Sequence, residues 1–222
     1  MLTSVYVDGF NLYNRRLKRE PRFKWLNLRK LAENVLRAPH VVDRVCYYTA
    51  RVSPVIDAAA PARQQAYMKA LRSAANVEIF EGTFALSKAW AFLAEPPLAK
   101  PDEFVWPEPG PACVQVKVAR EKGSDVNLAA HLVRDGFQGR YEAAVVISSD
   151  SDLAEPIRIV REELGKVIGV IRPTRKPSGS LAAAATFCIG FQDSALAKSQ
   201  FADAIDLASG ERLARPEGWH RG

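Results

Sequence analysis

The chain has 222 residues, of which 48% are hydrophobic, and it carries a formal net charge of +6 at pH 7 with a pI near 9.3. This composition excludes general disorder and indicates one well-cored domain with a basic surface. Its three cysteines are far apart, so neither a zinc motif nor a disulfide framework is indicated, and no apolar stretch approaches the length of a membrane span. We expect a soluble cytoplasmic protein with no membrane contact.

The first part of the chain alternates between strand-like and helix-like segments. Strands are predicted at residues 2–7, 41–49 and 77–85. Helices are predicted at residues 28–36, with Asn27 as N-cap, and at residues 58–75. The order strand, helix, strand, helix, strand predicts an α/β domain with a parallel sheet.

Residues 86–111 interrupt this pattern, because they carry six of the fourteen prolines together with four tryptophan and phenylalanine residues. We interpret them as an insertion loop or arm. Its aromatic side chains have three candidate roles: stacking on bases, contacts with a second subunit in a homo-oligomer, or covering the edge of the core. The sequence favours the third.

The α/β pattern resumes after the insertion. A helix capped by Ser124 is predicted to about Asp135, and further elements are a strand at residues 143–148, a helix at 152–164 and a strand at 167–171. Residues 173–222 are interpreted as a basic loop and a helical extension packed on the same domain.

Short polar side chains stand where a predicted strand ends or a predicted helix begins. They are Asp8, Asn11, Asp125, Asp150 and Asp152. The carboxyl ends of parallel strands form the ligand crevice of an open sheet, and several carboxylates in one crevice repel each other unless a cation neutralises them. Oxygen ligands without histidine or cysteine favour Mg²⁺ or Mn²⁺ over zinc.

Three blocks of the sequence, in this order, resemble the signature blocks of the NYN domain, a family of the PIN-like nuclease superfamily. They are residues 5–12 (VYVDGFNL), 121–128 (EKGSDVNL) and 146–153 (VISSDSDL), and the family-like segment 165–170 (GKVIGV) follows them. The resemblance covers about residues 1–172. Ser149 and Leu153 depart from the family pattern, in which glycine and an aromatic residue are common, but the acids are all present.

The resemblance implies a PIN-like three-layer sandwich, with a central, mostly parallel sheet and helices on both faces. It implies a metal-dependent ribonuclease, in which Mg²⁺ or Mn²⁺ held by the acids activates a water that hydrolyses RNA phosphodiester bonds. We expect Asp8 and Asp150 to bind the metal directly and Asp125 and Asp152 to act through water. Asn11 is expected to hydrogen-bond an acid or the phosphate.

Basic residues near the motifs are candidates for nucleic-acid binding. Lys122 stands beside Asp125, and the other candidates are Arg15 and Arg16 after the first block and Arg172, Arg175 and Lys176 after the last predicted strand. They could contact the phosphates of RNA or of single-stranded DNA. A solvated helix or loop face explains such clusters equally well.

Two other functions remain open at this point. The first is a catalytically weak nucleic-acid-binding or regulatory module with the same fold. The second is a phosphatase-like hydrolase of small phosphate esters, although Phe10 stands where an Asp-x-Asp nucleophile block would need its second acid. The sequence does not specify the RNA substrate, endonucleolytic or exonucleolytic action, the number of metals or the oligomeric state.

Overall fold

The computed structural model describes residues 1–54, 57–93, 112–174 and 179–219. The strands in these ranges are β1 (Leu2–Asp8), β2 (Val41–Ala50), β3 (Val77–Phe92), β4 (Cys113–Lys122), β5 (Ala143–Ile147), β6 (Val167–Arg172), β7 (Phe187–Gly190), β8 (Ala204–Asp206) and β9 (Arg212–Ala214). The helices are α1 (Gly9–Leu12), α2 (Leu28–Val35), α3 (Ala60–Ser73), α4 (Ser124–Phe137), α5 (Ala154–Glu162), α6 (Gly179–Ala184) and α7 (Asp193–Lys198). In the same ranges, no helix has the length and apolar content needed to cross a bilayer.

Strands β1 to β7 form one sheet in the order β4-β3-β2-β1-β5-β6-β7, while β8 and β9 form a separate hairpin. Every neighbouring pair in the large sheet is parallel except β3 and β4. Helices cover both of its faces. The predicted α/β sandwich with a central, mostly parallel sheet is therefore confirmed.

The direction in which strands are added reverses at β1. The chain passes from β1 outward to β2 and β3, and it later returns to the other side of β1 with β5, then β6 and β7. Val7 is in register with Ile147, and Asp8 is in register with Tyr48, so the carboxyl ends of β1, β2 and β5 meet at one edge. Such a switch point is where open α/β sheets bind ligands.

Alternate side chains of β1 pack into two separate cores, one on each face of the sheet. Val5 and Val7 pack in the core formed with α2, α3 and α7. Tyr6 packs in the opposite core with α4, α5 and α6. Because β1 is buried on both faces, the apolar residues Val5, Tyr6 and Val7 follow one another without alternation up to Asp8, as expected for a central parallel strand.

Local capping explains where several helices begin. The Asn27 side chain accepts a hydrogen bond of 3.0 Å from the amide of Lys30, which confirms the predicted N-cap of α2. The predicted Ser124 cap of α4 was wrong. Gly123 occupies the capping position with a φ of 97°, and Ser124 is the first helical residue. A glycine adopts this left-handed conformation without steric cost.

The boundary of the predicted insertion differs in the structure. Strand β3 continues to Phe92, so residues 86–92 form a strand and not a loop, and β4, which the sequence pattern did not predict, pairs with β3 as an antiparallel hairpin. The side chains of Trp90 and Phe92 are exposed. The prolines of the insertion, and with them the core of the expected arm, lie outside the described residues.

The segment after residue 172 contains more than the expected loop and helices. Helices α6 and α7 are present, but β7 between them adds a parallel strand to the large sheet beside β6. Gly169 of β6 lies under the ring of Phe187, where a Cβ would overlap that ring. The C-terminal segment therefore completes the sheet as well as packing on it.

Candidate metal centre

Asp8 is fixed at the end of β1 by its two neighbours in space. Its Oδ1 accepts a hydrogen bond of 2.9 Å from the amide of Asn11, which caps α1. Its Oδ2 accepts a hydrogen bond of 2.9 Å from the hydroxyl of Ser148, which follows β5. Asp8 is only 3% exposed, so its carboxylate has a defined orientation in a site that water barely reaches.

Asp150 lies in the turn after β5 and is tied to the same network. Its amide donates to the Ser148 hydroxyl at 3.0 Å, and its Oδ1 accepts a hydrogen bond of 3.1 Å from the amide of Asp152. The Asn11 side-chain oxygen accepts a hydrogen bond of 3.0 Å from the amide of Ser149. Asn11 and Ser148 thus join the ends of β1 and β5 and set the distance between their acids.

Asp125 reaches the same point from the first turn of α4. Close packing against β3 positions this turn, because a Cβ on Gly82 would lie 2.7 Å from the carbonyl oxygen of Lys122 and 3.1 Å from the Ser124 hydroxyl. Asp125 is exposed, whereas Asp8 is buried and Asp150 is half-buried. The N-terminal end of a helix favours the ionised form of a carboxylate.

The structure brings Asp8, Asp125 and Asp150 together as an acid triad, with one carboxylate oxygen of each within 4.8 Å of the others. We expected Asp125 to act through water, and its mode of contact with a metal stays a prediction. Asp152 is outside the triad. Its side chain is exposed, and its backbone amide holds Asp150.

The pKa values of two acids in the triad are raised by burial and by repulsion between neighbouring carboxylates. Burial raises the pKa of Asp8 to about 6, against the hydrogen bonds from Asn11 and Ser148, and the charge of Asp125 adds to the increase. Partial loss of solvent around the otherwise exposed Asp125 raises its pKa, with repulsion from Asp150 and Asp152 contributing. Among the residues that the structure describes, none of the three carboxylates pairs with a lysine or arginine.

Glu121 is a fourth acid at this site, and sequence reasoning missed it. Burial raises the pKa of this carboxyl, and the charge of Asp125 adds to the effect. Its Oε1 is buried without a hydrogen-bond partner in the described part of the chain. The available signal was its place in the second sequence block, four residues before Asp125.

The donor set fits a hard divalent cation. The triad supplies carboxylate oxygens only, the nearby Glu121 has a buried oxygen without a described partner, and the acids repel each other in the absence of a positive charge. Mg²⁺ and Mn²⁺ prefer such oxygen ligands, whereas zinc prefers nitrogen and sulfur.

Three of the six basic candidates line one cleft. Arg15, Arg16 and Arg172 line an open cleft of about 710 Å³ together with Thr174, whose hydroxyl lies 3.1 Å from that of Ser149. Arg16 is half-buried and forms ion pairs with Glu20 and Asp193, so acids of the chain itself already neutralise it.

The remaining basic candidates divide into exposed residues and residues that cannot be placed. Arg15 and Lys122 are exposed to solvent, and Lys122 ends strand β4. Arg175 and Lys176 lie outside the described residues.

Comparison with protein families bears on the second half of the chain. The family model described as the NYN domain matches residues 107–191. This range includes Asp125, Asp150 and Asp152, and it confirms the resemblance found in the sequence. Asp8 and Asn11 lie before it.

A curated relative is similar to a larger part of the chain. The 6-hydroxy-3-succinoylpyridine 3-monooxygenase of Pseudomonas putida is 29% identical over 195 residues, which cover 78% of this chain. The chain spans 59% of the length of that relative.

A solved structure shares the fold. A protein of unknown function from Vibrio parahaemolyticus aligns with a TM-score of 0.54 at 14% identity, covering 90% of this chain and 96% of the other. At this level of identity the similarity concerns the fold alone.

Proposed function

We propose that the chain is a metal-dependent ribonuclease that hydrolyses RNA phosphodiester bonds at the acid triad. One observation carries the proposal: carboxylates of Asp8, Asp125 and Asp150, which are far apart in sequence, meet within 4.8 Å at the switch point of the sheet. The match to the NYN domain supports a nuclease-type site, because the proteins of that family are generally nucleases.

The cofactor in this proposal is Mg²⁺ or Mn²⁺, held by the acid triad with Glu121 beside it. When bound, the cation supplies positive charge to a phosphoryl oxygen and makes a coordinated water more acidic. The protein contributes rigid placement. Asn11 and Ser148 hold the Asp8 carboxylate from both sides, and the Asp152 amide holds that of Asp150.

The shape of the site suits a large substrate. Asp8 forms its buried floor, whereas Asp125 is exposed and leaves the site open on the side of α4. The exposed cations Arg15 and Lys122 are the candidates for contacts with RNA phosphates on either side, with Arg172 lining the adjoining cleft. A polyanion could lie across the open side while one phosphate enters the triad.

The test is cleavage of end-labelled single-stranded RNA, and of DNA of the same sequence, with Mn²⁺, Mg²⁺ or EDTA. Wild-type protein should cleave RNA only with a divalent cation, and Asp8→Asn and Asp150→Asn should each lower the rate by about 100-fold or more. Asp206→Asn, at an exposed acid in β8, is the matched control and should leave the rate unchanged. Cleavage that survives EDTA or both triad substitutions contradicts the proposal. RNA binding without cleavage would instead favour the catalytically weak binding module.

A second candidate function is a monooxygenase reaction, which is favoured by the 29% identity to the Pseudomonas putida enzyme across 78% of this chain. Monooxygenation consumes O₂ and two electrons, so its assay needs an electron donor and no RNA. Purified protein would be incubated with 6-hydroxy-3-succinoylpyridine and NADH in an oxygen electrode. Substrate-dependent O₂ uptake supports this candidate, and O₂ uptake equal to that of a protein-free control rejects it.

A further inference from the structure

A partly open cavity of about 180 Å³ lies between α1, the end of β2 and α3. Its walls are mainly apolar, and five of the fifteen lining residues are aromatic: Phe10, Tyr13, Tyr47, Tyr67 and Trp219. The cavity shares Gly9 with the edge that carries Asp8, but no acid of the triad lines it. It is therefore a separate compartment beside the candidate metal centre.

The size of the cavity limits its occupant. An engineered apolar protein cavity of about 150 Å³ holds benzene, so 180 Å³ accommodates one aromatic ring with a small substituent. Aromatic walls favour a planar ring, because offset and edge-to-face arrangements of rings are attractive beyond simple burial.

The lining of the cavity carries one more positive charge than negative charge. Two cations and one acid line it, namely Lys24, Arg63 and Asp57, and Asp57 is ion-paired with Arg63. The Lys24 ammonium group has no hydrogen bond or ion pair with any residue that the structure describes, and its Nζ lies 5.5 Å from the centre of the Tyr13 ring. Burial lowers the pKa of Lys24, and repulsion by Arg63 contributes. One half-buried ammonium group thus remains for an anionic partner.

Other polar groups of the lining are already engaged. Gln64 donates to the carbonyl of Ala50 at 2.8 Å and accepts from the amide of Val52 at 2.9 Å. The Tyr67 hydroxyl donates to the carbonyl of Leu26 at 2.9 Å. A ligand in this cavity would therefore meet apolar rings and one cation, and few free hydrogen-bonding groups.

We propose that the cavity binds a small, one-ring aromatic carboxylate, with its ring between Tyr13, Tyr47 and Tyr67 and its carboxylate at Lys24. Charge complementarity selects the anion, and the volume selects a single ring. The cavity lies outside the triad, so this proposal does not depend on the ribonuclease. It does bear on the second candidate function, whose substrate 6-hydroxy-3-succinoylpyridine is a one-ring aromatic carboxylate, and binding measured by calorimetry can fail or succeed separately from O₂ uptake.

Isothermal titration calorimetry with benzoate and with its uncharged analogue benzamide tests the proposal on the full chain. Benzoate should bind saturably and more tightly than benzamide. Lys24→Met keeps an unbranched side chain that is one atom shorter and removes its charge. It should weaken benzoate binding about tenfold, the effect of losing one charge-assisted contact, and leave benzamide unaffected. Lys18→Met is the matched control, because Lys18 is exposed, nearby and outside the lining, and it should change little.

Several results would overturn the proposal: no saturable binding of benzoate, equal binding of benzoate and benzamide, or an equal loss in Lys18→Met and Lys24→Met. If Lys24→Met does not fold, as judged by circular dichroism, Ala60→Leu decides the question. Ala60 lines the cavity, and a leucine there should fill it and abolish benzoate binding. Retained binding in that variant contradicts the proposed location.

Discussion

Asp8 is nearly fully buried although it carries a carboxylate, and this burial makes its protonation a sensitive probe of the site. Its pKa is about 6 in the folded protein, compared with 3.8 as the ordinary value. Folding therefore favours the protonated form. The stability that this group contributes is fully present below about pH 4 and is lost as the pH rises through about 6.

Unfolding in urea with EDTA present measures this effect. Relative to the non-titrating variant Asp8→Asn, the wild-type protein should lose about 3 kcal/mol of unfolding free energy between about pH 4 and about pH 7. Added Mn²⁺ should restore stability at the higher pH, because a cation that binds only the folded state stabilises it. A difference between wild type and variant that does not change with pH would show that Asp8 is not buried as described.

Glu121 offers a second prediction at the residue scale. Because its Oε1 is buried without a described hydrogen-bond partner and its charge faces Asp125, Glu121→Gln should weaken Mn²⁺ binding about tenfold in calorimetry. The protein should remain folded. Glu142→Gln, at an exposed glutamate, is the control. Unchanged Mn²⁺ affinity in Glu121→Gln would remove this residue from the site.

The acids at strand ends could be predicted from sequence because each follows an apolar run or begins a helix. Asp8 and Asp150 illustrate this, since both stand directly at or after a buried strand. Glu121 could not be found in this way, because its strand, β4, was not recognised. Whether Asp125 or Asp152 lies nearer to Asp8 and Asp150 also depends on packing between α4 and β3. No local sequence pattern encodes this packing.

At the scale of elements, the packing of β3 against the start of α4 determines where Asp125 lies. Gly82→Ala places a Cβ against the Lys122 carbonyl, so the first turn of α4 must shift. We expect this substitution to weaken Mn²⁺ binding without altering any acid. The control is Gly179→Ala, where a Cβ meets no atom within 4 Å, and it should leave Mn²⁺ affinity unchanged. Equal affinities in the two variants, measured by calorimetry, would contradict the packing argument.

The elements that sequence reasoning missed are those fixed by pairing between distant segments. Residues 86–92 precede a proline-rich stretch and read as a loop, yet antiparallel pairing with β4 makes them a strand. Strand β7 has only four residues after an alanine-rich helix, and the bare backbone of Gly169 provides the room for its Phe187 ring. Longer periodic segments such as α2 and α4 were predictable because their apolar faces are encoded locally.

At the scale of the whole molecule, a buried ionic network joins α4 to the centre of the sheet. Asp135 of α4 accepts a hydrogen bond of 2.8 Å from the Tyr6 hydroxyl of β1 and forms ion pairs with Arg44 and Arg134. Burial raises the pKa of Asp135, but the hydrogen bonds from Arg134, Arg44 and Tyr6 outweigh it and lower the pKa below its usual value. This helix also carries Asp125, so the network anchors the candidate metal centre to the sheet.

Breaking this network should destabilise the protein strongly. Asp135→Asn removes the charge that compensates Arg44, and we expect a loss of about 3 kcal/mol in the free energy of unfolding, measured in urea. Asp206→Asn, at an exposed acid, should change the same quantity by less than about 0.5 kcal/mol. A similarly small effect of Asp135→Asn would mean that packing alone holds α4 in place.

The central claim is that Asp8, Asp125 and Asp150 together hold one or more divalent cations. Crystals grown with Mn²⁺ allow a direct test, because anomalous scattering locates manganese independently of any assumed ligands. The account predicts an anomalous peak between these three carboxylates, within about 2.5 Å of at least one oxygen of Asp8. Peaks only elsewhere, or no peak at the triad at saturating Mn²⁺, would contradict it.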